Sequence, residues 1–191
     1  KIGLKKVAIH IITDGRDTPA KSASRYLKQI EECIKKFKTG EIASICGRYW
    51  IMDRNLLWDR TEKAFLNLTD PNSKAKDISP QNYLKKCYDK NITDEFLEPI
   101  RISDNFLKDG DSLICFNFRP DRARQIIKSL SKKSFTEFKR KTIPNLNIVT
   151  FTQYEENLPV KVAFPPESLN NFLGQIISEN GLKQYRTAET E

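Results

Sequence analysis

The chain has 191 residues, of which 38% are hydrophobic and 10% aromatic, enough for one ordinary hydrophobic core without disulfides or a structural metal. No apolar run approaches the ~20 residues of a membrane helix, and the first apolar stretch is too short and too β-branched for a signal peptide. We expect a single soluble domain, residues 1–191, with no membrane partner. The formal net charge of +8 attracts nucleic acids and small anions alike, so it does not choose between them.

Four cysteines are spread along the chain without a CxxC pair: Cys33, Cys46, Cys87 and Cys115. Because the chain has only one histidine, this spacing favours neither a zinc site nor a disulfide framework. Reduced thiols are typical of the cytoplasm, which is the predicted location. The histidine, His10, lies within a predicted strand, where we expect a packed or hydrogen-bonded structural role.

Strand patterns alternate with helix patterns along the chain. The predicted strands are residues 7–13, 41–46, 112–118 and 146–151, and the predicted helices are residues 21–39, 55–68, 80–90, 121–131 and 168–180. The strands are short runs rich in β-branched residues, and the helices carry apolar residues at helical spacing. Tyr26, Phe37, Leu56 and Leu57 are among those predicted to face inward. The alternation predicts an α/β fold, a layered α/β/α domain with a mostly parallel sheet flanked by helices.

The loops after the first three predicted strands are rich in arginine and aspartate. They read Asp14-Gly15-Arg16-Asp17-Thr18-Pro19, Gly47-Arg48-Tyr49-Trp50-Ile51-Met52-Asp53-Arg54 and Asn117-Phe118-Arg119-Pro120-Asp121-Arg122-Ala123-Arg124. Ligands of open parallel sheets bind at the C-terminal ends of strands, so we expect these loops to converge. Guanidinium groups aimed at one crevice repel each other unless an anion lies between them, and each can grip phosphate or carboxylate with two hydrogen bonds. The pattern favours a site for a small anion.

Three alternatives remain open at this point. The arginines could form salt bridges only with the aspartates beside them; the residues concerned are Arg16, Arg54 and Arg122, with Asp14, Asp17, Asp53 and Asp121. The positive charge would also suit a nucleic-acid-binding module, but no zinc-finger, RNA-recognition or helix-turn-helix pattern occurs, and we predict no nucleic-acid partner. The third alternative is an anion-binding domain without catalytic activity.

Four segments resemble the cofactor-independent (2,3-bisphosphoglycerate-independent) phosphoglycerate mutases in sequence, order and spacing. They are Asp14 to Pro19, Gly47 to Arg54, Phe116 to Gln125 and Ala188 to Glu191. The resemblance runs from about Val7 to the last residue. It implies an isomerase of glycolysis and gluconeogenesis that interconverts 3-phosphoglycerate and 2-phosphoglycerate through a phosphoserine intermediate.

The resemblance also implies a division of labour between two domains. This chain is similar to the inserted domain that binds and reorients the glycerate. The nucleophilic serine and two divalent metals, expected to be manganese, belong to a phosphatase-like domain of the same polypeptide that is absent from this sequence. A histidine before the first strand and a lysine after the last motif, both used by the family, are absent too. No metal or other cofactor is expected in this chain, and we expect it to be inactive alone.

Six substrate-binding positions follow from the resemblance: Arg16, Asp17, Arg48, Arg54, Arg119 and Arg122. The arginines are suited to hold the carboxylate and phosphate of phosphoglycerate. Asp17 is the candidate catalytic residue, a base that accepts the hydroxyl proton of the glycerate as that oxygen attacks phosphoserine. The alternative role for Asp17 is only to orient Arg16. Asp14 and Asp53 are predicted to be structural supports.

Overall fold

A computed structural model describes residues 3–4, 6–167 and 170–187. Helices and strands are interspersed along this range. In chain order the elements are β1 (Ala8–Thr13), α1 (Ala23–Phe37), β2 (Glu41–Gly47), α2 (Arg48–Ile51), α3 (Trp58–Thr69), α4 (Pro80–Asp89), a 3₁₀ turn (Asp94–Phe96), β3 (Ile100–Arg101), β4 (Ser112–Cys115), α5 (Pro120–Ser131), β5 (Asn147–Thr150), β6 (Lys161–Val162) and α6 (Leu173–Glu179).

The strands form two three-stranded sheets. In the first, ordered β1-β2-β3, β1 and β2 are parallel and β3 is antiparallel to β2. In the second, ordered β4-β5-β6, all three strands are parallel. The α/β class and the mostly parallel pairing are therefore confirmed, but the described strands form two sheets and not the single sheet that was predicted. The C-terminal ends of β1, β2 and β4 lead into the three arginine-rich loops.

Helices α1 and α4 cover one face of the first sheet. Their buried side chains include Leu27 and Leu84, which pack with Ile42 and Ile45 of β2 and with Leu97. Apolar burial on this scale contributes roughly 1.5–3 kcal/mol for each fully buried large side chain. This core holds β2 firmly, and with it the loop that starts at its end.

Helices α3 and α5 form a second core that contacts both sheets. It contains Cys46 of β2, Phe65 of α3, Ile127 of α5 and Ile148 of β5. Because one continuous cluster includes side chains from both sheets, the loops at the ends of β2 and β4 are fixed relative to each other.

Several predicted apolar positions are exposed instead of buried. Tyr26 and Phe37 of α1 are 45% and 58% exposed, and Leu56 and Leu57 precede α3 and are 65% and 39% exposed. The prediction that these four side chains face inward was wrong. Strand β1 is also less buried than predicted, because β2 is its only strand neighbour in the described chain.

Helix α3 begins three residues later than predicted because a side chain reorganises its start. The Asp53 carboxylate accepts hydrogen bonds from the backbone N–H groups of Asn55 and Leu57, both at 3.0 Å. Leu56 lies between them with a left-handed φ of 61°, which no helix interior allows. Helical spacing of apolar residues does not reveal this turn.

Short elements escaped the sequence analysis. Helix α2, the 3₁₀ turn, β3 and β6 have two to four residues each, too few to show a period. The strand predicted to reach Phe118 ends at Cys115, and the last helix begins at Leu173. Residues 168 and 169, where that helix was predicted to start, lie outside the described residues.

All four cysteines are free thiols, and Cys46 and Cys87 are buried. Burial raises the pKa of both thiols, which keeps them protonated and unreactive. None of the helices in the described part of the chain is long and apolar enough to cross a bilayer.

Candidate anion-binding site

The first loop turns sharply at the end of β1. Asp14 accepts hydrogen bonds through Oδ1 from the backbone N–H groups of Arg16 and Asp17, both at 3.2 Å. Gly15 between them has a φ of +68°, and a Cβ at this position would lie 2.7 Å from the backbone nitrogen of Glu95. Only glycine fits this close approach without strain.

The second loop begins with a glycine that has no space around it. Gly47 donates a backbone hydrogen bond of 2.8 Å to the carbonyl of Leu97. A Cβ at position 47 would lie 2.7 Å from the nitrogen of Leu97 and still closer to the carbonyl of Glu95. The turn at Asp94–Phe96 therefore supports both the first and the second loop.

Arg48 joins the first two loops. Its side chain is 7% exposed, and its Nη1 donates to Asp14 Oδ1 at 2.5 Å and to Asp17 Oδ2 at 2.7 Å. Burial alone would raise the pKa of Asp14, but hydrogen bonds from Arg48 and from the backbone of Asp17 and Arg16 lower it below its ordinary value. Burial would likewise lower the pKa of Arg48, but its hydrogen bonds to Asp17 and Asp14 raise it. The pair is ionised at neutral pH.

Asp53 fixes the far end of the second loop. It is 5% exposed, and its Oδ1 lies 3.3 Å from Arg60 Nη1 in addition to the backbone contacts of its Oδ2. Held in this way, Asp53 anchors the turn that contains Arg54. The prediction that Asp53 is a structural support agrees with these contacts.

The third loop is tied down by Tyr154. Its hydroxyl donates to the carbonyl of Cys115 at 3.2 Å and also contacts the carbonyl of Asn117. The Asn117 side chain accepts a 3.0 Å hydrogen bond from the backbone of Arg119, and α5 begins directly afterwards at Pro120. The start of α5 is therefore held at a fixed position beside the second loop.

Three arginine side chains lie around one carboxylate oxygen of Asp121. Its Oδ2 accepts hydrogen bonds from Arg54 Nη1 at 2.9 Å and Arg119 Nη2 at 3.3 Å, and Arg122 Nε lies 3.9 Å away. Although burial would raise the pKa of Asp121, the hydrogen bonds from Arg54 and Arg119 and the nearby positive charges lower it.

Arg122 is the most confined of these three arginines. Its side chain is 15% exposed and donates through Nη1 to the carbonyl of Met52 at 3.3 Å. Its Nε is buried and finds no hydrogen-bond partner among the described residues. Burial first, and then the charges of Arg54 and Arg48, lower the pKa of Arg122. Arg122 thus lies near enough to both Arg54 and Arg48 for their charges to act on it.

The structure places five of the six predicted residues in two groups. Arg48 and Asp17 form the first group. Arg54, Arg119 and Arg122, which surround Asp121, form the second arginine group. Arg16 points elsewhere: its side chain is 61% exposed and lies 3.5 Å from Glu95.

Most ion pairs of the site connect different loops. Arg54 pairs with Asp121 and not with the adjacent Asp53, and Arg48 pairs with two residues of the first loop. The alternative in which each arginine pairs with its neighbour in sequence therefore fails for Arg16 and Arg54. Arg122 lies near adjacent Asp121 but makes no hydrogen bond to it.

Two aspartates are more involved than the sequence analysis predicted. Asp14 was predicted only as a support, yet it receives a charged hydrogen bond from Arg48. The role of Asp121 as a shared acceptor was missed, although its place between Arg119 and Arg122 at the start of a helix was a usable signal.

No group of three or more histidine, cysteine, aspartate or glutamate side chains in the described part of the chain could hold a metal ion. His10, which lies on β1, has the structural role predicted for it. Its Nδ1 is 2.8 Å from Ser44 Oγ, and burial, together with the charge of Arg101, lowers its pKa to about 4.

An α/β domain whose strand-end segments hold clustered arginines has the charge and the hydrogen-bond donors to bind a small anion. Residues 1–156 match the family described as "BPG-independent PGAM N-terminus", and the chain belongs to that family. The predicted resemblance is confirmed.

Curated relatives and a solved structure agree with this assignment. The chain is 80% identical to a 2,3-bisphosphoglycerate-independent phosphoglycerate mutase of Prochlorococcus marinus subsp. pastoris, over 98% of this chain and 35% of that protein. It is 49% identical to the enzyme of the same name from Picosynechococcus, over 99% of this chain and 36% of that protein. A crystal structure of Leishmania mexicana phosphoglycerate mutase has the same fold, with a TM-score of 0.82 at 23% identity, over 94% of this chain and 35% of that one. The chain spans about a third of the length of these relatives.

Proposed function

We propose that this chain is the glycerate-binding part of a phosphoglycerate mutase that interconverts 3-phosphoglycerate and 2-phosphoglycerate. The observation that carries the proposal is the set of arginines that follows β2 and β4. Arg54, Arg119 and Arg122 surround the carboxylate of Asp121, and Arg48 is near enough for its charge to lower the pKa of Arg122. Phosphoglycerate carries a carboxylate and a phosphate, and guanidinium groups suit both.

In the proposed complex, substrate oxygens replace the Asp121 oxygen at Arg54 and Arg119, while Asp14 and Asp17 stay paired with Arg48. Arg54 and Arg119 are 41% and 45% exposed, so an arriving anion can reach them. The side chains of Arg48 and Arg122 are only 7% and 15% exposed, so they contribute mainly through their charge. Exchange of one anionic partner for another leaves the arginines charged and paired throughout, which lowers the cost of binding.

Asp17 is suited to move a proton at the glycerate hydroxyl. Its carboxylate is 65% exposed while one oxygen is anchored to Arg48, so the other oxygen can face a ligand. In the proposed reaction the hydroxyl oxygen forms a bond to phosphorus, the bond between that phosphorus and a serine oxygen breaks, and Asp17 takes the hydroxyl proton. Return of the phosphoryl group to the serine runs the same step in reverse.

We assign the serine and the two divalent metals, expected to be manganese, to the phosphatase-like remainder of the polypeptide. The metals would supply electrostatic stabilisation of the phosphoryl group there. A cytoplasmic location remains a prediction.

The test is a kinetic assay of the full-length protein with 3-phosphoglycerate. Arg54→Ala and Arg119→Ala are each expected to lower kcat/KM about 10- to 100-fold, because each removes a positioned charge from the site. The matched control is Arg25→Ala on α1, an arginine that lies beside Tyr26 and is expected to leave kcat/KM unchanged. A full-length protein that binds 3-phosphoglycerate without converting it would favour an inactive anion-binding domain. Binding that strengthens with nucleic-acid strand length would favour the nucleic-acid alternative.

A further inference from the structure

Asp121 presents a problem that the proposed function does not solve. An anion-binding site is weakened by a negative charge of its own, because that charge repels the ligand. Yet Asp121 lies at the centre of the second arginine group, and its Oδ2 is within 2.9–3.9 Å of nitrogens from Arg54, Arg119 and Arg122.

The distances indicate what the carboxylate does. Three guanidinium groups around one point repel each other, and two of them, those of Arg54 and Arg119, are 41% and 45% exposed. Without a shared counter-charge these two side chains would extend into water, where separation and hydration are both favourable. The hydrogen bonds to Asp121 oppose that movement. The hydrogen bond from Arg54 also links the second loop to the first turn of α5, across 67 positions in sequence.

We infer that Asp121 is a positioning residue that holds Arg54, Arg119 and Arg122 in a ligand-ready arrangement before the anion arrives, an inference that rests on the proposed function. It does not touch the reacting atoms. Its single bonded oxygen, Oδ2, serves as a removable substitute for a substrate oxygen. The binding site is therefore already assembled when it is empty, and the ligand does not have to gather the arginines.

A simpler role must be separated from this one. Asp121 is an acidic residue in the first turn of α5, where a negative charge stabilises any helix. Asp59 occupies the equivalent place in the first turn of α3, and no ion pair to Asp59 occurs within the described ranges. Asp59→Asn therefore removes a helix N-terminal charge without disturbing an arginine group, which makes it the matched control.

The experiment measures steady-state kinetics and thermal unfolding of the full-length protein with Asp121→Asn, Asp121→Glu and Asp59→Asn. Asp121→Asn keeps the size of the side chain but loses the charge. If Asp121 is a positioning residue, the KM of the Asp121→Asn enzyme for 3-phosphoglycerate rises about 10- to 100-fold. The rise is smaller for Asp121→Glu, which retains a carboxylate in a displaced position. Simple electrostatics predicts the opposite sign, a lower KM for Asp121→Asn, because the site becomes more positive. Asp59→Asn is expected to keep the wild-type KM.

The outcomes separate the two proposals. An active wild-type enzyme with an unchanged or lowered KM in Asp121→Asn overturns the positioning role and leaves the proposed function standing. A wild-type protein that does not convert 3-phosphoglycerate overturns both. If Asp121→Asn does not fold, Asp121→Glu decides, since a folded glutamate variant with the wild-type KM also overturns the inference.

Discussion

Arg48 on the second strand-end loop donates a hydrogen bond to Asp14 on the first, with Nη1 and Oδ1 2.5 Å apart. The two residues are separated by 34 positions in sequence, so the contact fixes the relative placement of two loops. Because the Arg48 side chain is 7% exposed, water screens this pair less than it screens ordinary surface pairs. The residue that is proposed to bind the ligand is therefore also part of the domain's structure.

The first prediction separates these two roles of an arginine. Arg48→Ala should lower both the free energy of unfolding, by about 1–3 kcal/mol, and kcat/KM of the full-length enzyme, because Asp14 and Asp17 lose their shared donor. Arg16→Ala should change the unfolding free energy little, since the Arg16 side chain is 61% exposed and makes one 3.5 Å contact. Chemical denaturation of both variants checks this, and equal stabilities would contradict it.

The second prediction concerns the stability of the domain at low pH. The pKa of Asp14 is lowered in the folded state, so its contribution to stability is complete above its unfolded value of about 3.9 and is lost as pH falls through the lower folded value. Wild-type protein should therefore lose more unfolding free energy below about pH 4 than Asp14→Asn does. Glu155, whose pKa is lowered against its burial by Lys132 and Lys128, should behave similarly in Glu155→Gln. If the free energy of unfolding falls with pH by the same amount in the wild type and both variants, the prediction is refuted.

A third prediction follows from His10, whose folded pKa is about 4. Between about pH 6.5 and pH 4 the unfolded chain binds a proton at this ring and the folded chain does not. Stability should therefore decline through that window as pH falls, by about 1–3 kcal/mol, because the ring is only partly buried. The decline should be smaller in His10→Gln. An NMR titration of the His10 ring provides the direct measurement, and a midpoint near 6.5 would be incompatible with the structure.

The fourth prediction concerns the glycine at the end of β2. Gly47 has an ordinary φ of −69°, so alanine there suffers from lack of space alone. Gly47→Ala is expected to cost about 1–3 kcal/mol or more, because the methyl group meets the backbone of Glu95 and Leu97. Gly110→Ala is the control, since nothing lies within 4 Å of its Cβ position and only its φ of +78° is unfavourable. Thermal unfolding midpoints rank the two, and a milder effect at position 47 would contradict the close packing.

The regular elements were predictable because their signals are local. The β-branched runs before Asp14 and Gly47 and the helical spacing between Ala23 and Phe37 lie within short windows of sequence. Leu56 was not predictable in this way. Its backbone N–H donates to the side chain of Gln125, 69 positions away, and no local pattern contains that partner.

The candidate site shows the same limit. Composition places arginines and aspartates on three loops, and fold rules bring loops at strand ends together. Which aspartate each arginine pairs with depends on distances in the folded chain. Arg54 does not pair with the adjacent Asp53, because the Asp53 carboxylate is already bonded to backbone N–H groups and to Arg60. Arg54 therefore donates to Asp121.

The turn at Asp94–Phe96 has a consequence for synthesis on the ribosome. Thr13 Oγ1 donates to the carbonyl of Asp94, 81 positions later, and Gly47 depends on Leu97 in the same way. At ~5–20 residues per second, roughly 2–10 seconds pass between the translation of Gly47 and that of Leu97. During that interval the first two loops are held only by the pairing of β1 with β2 and by the contacts of Arg48 with Asp14 and Asp17, and they take their final form once the turn has emerged and docked.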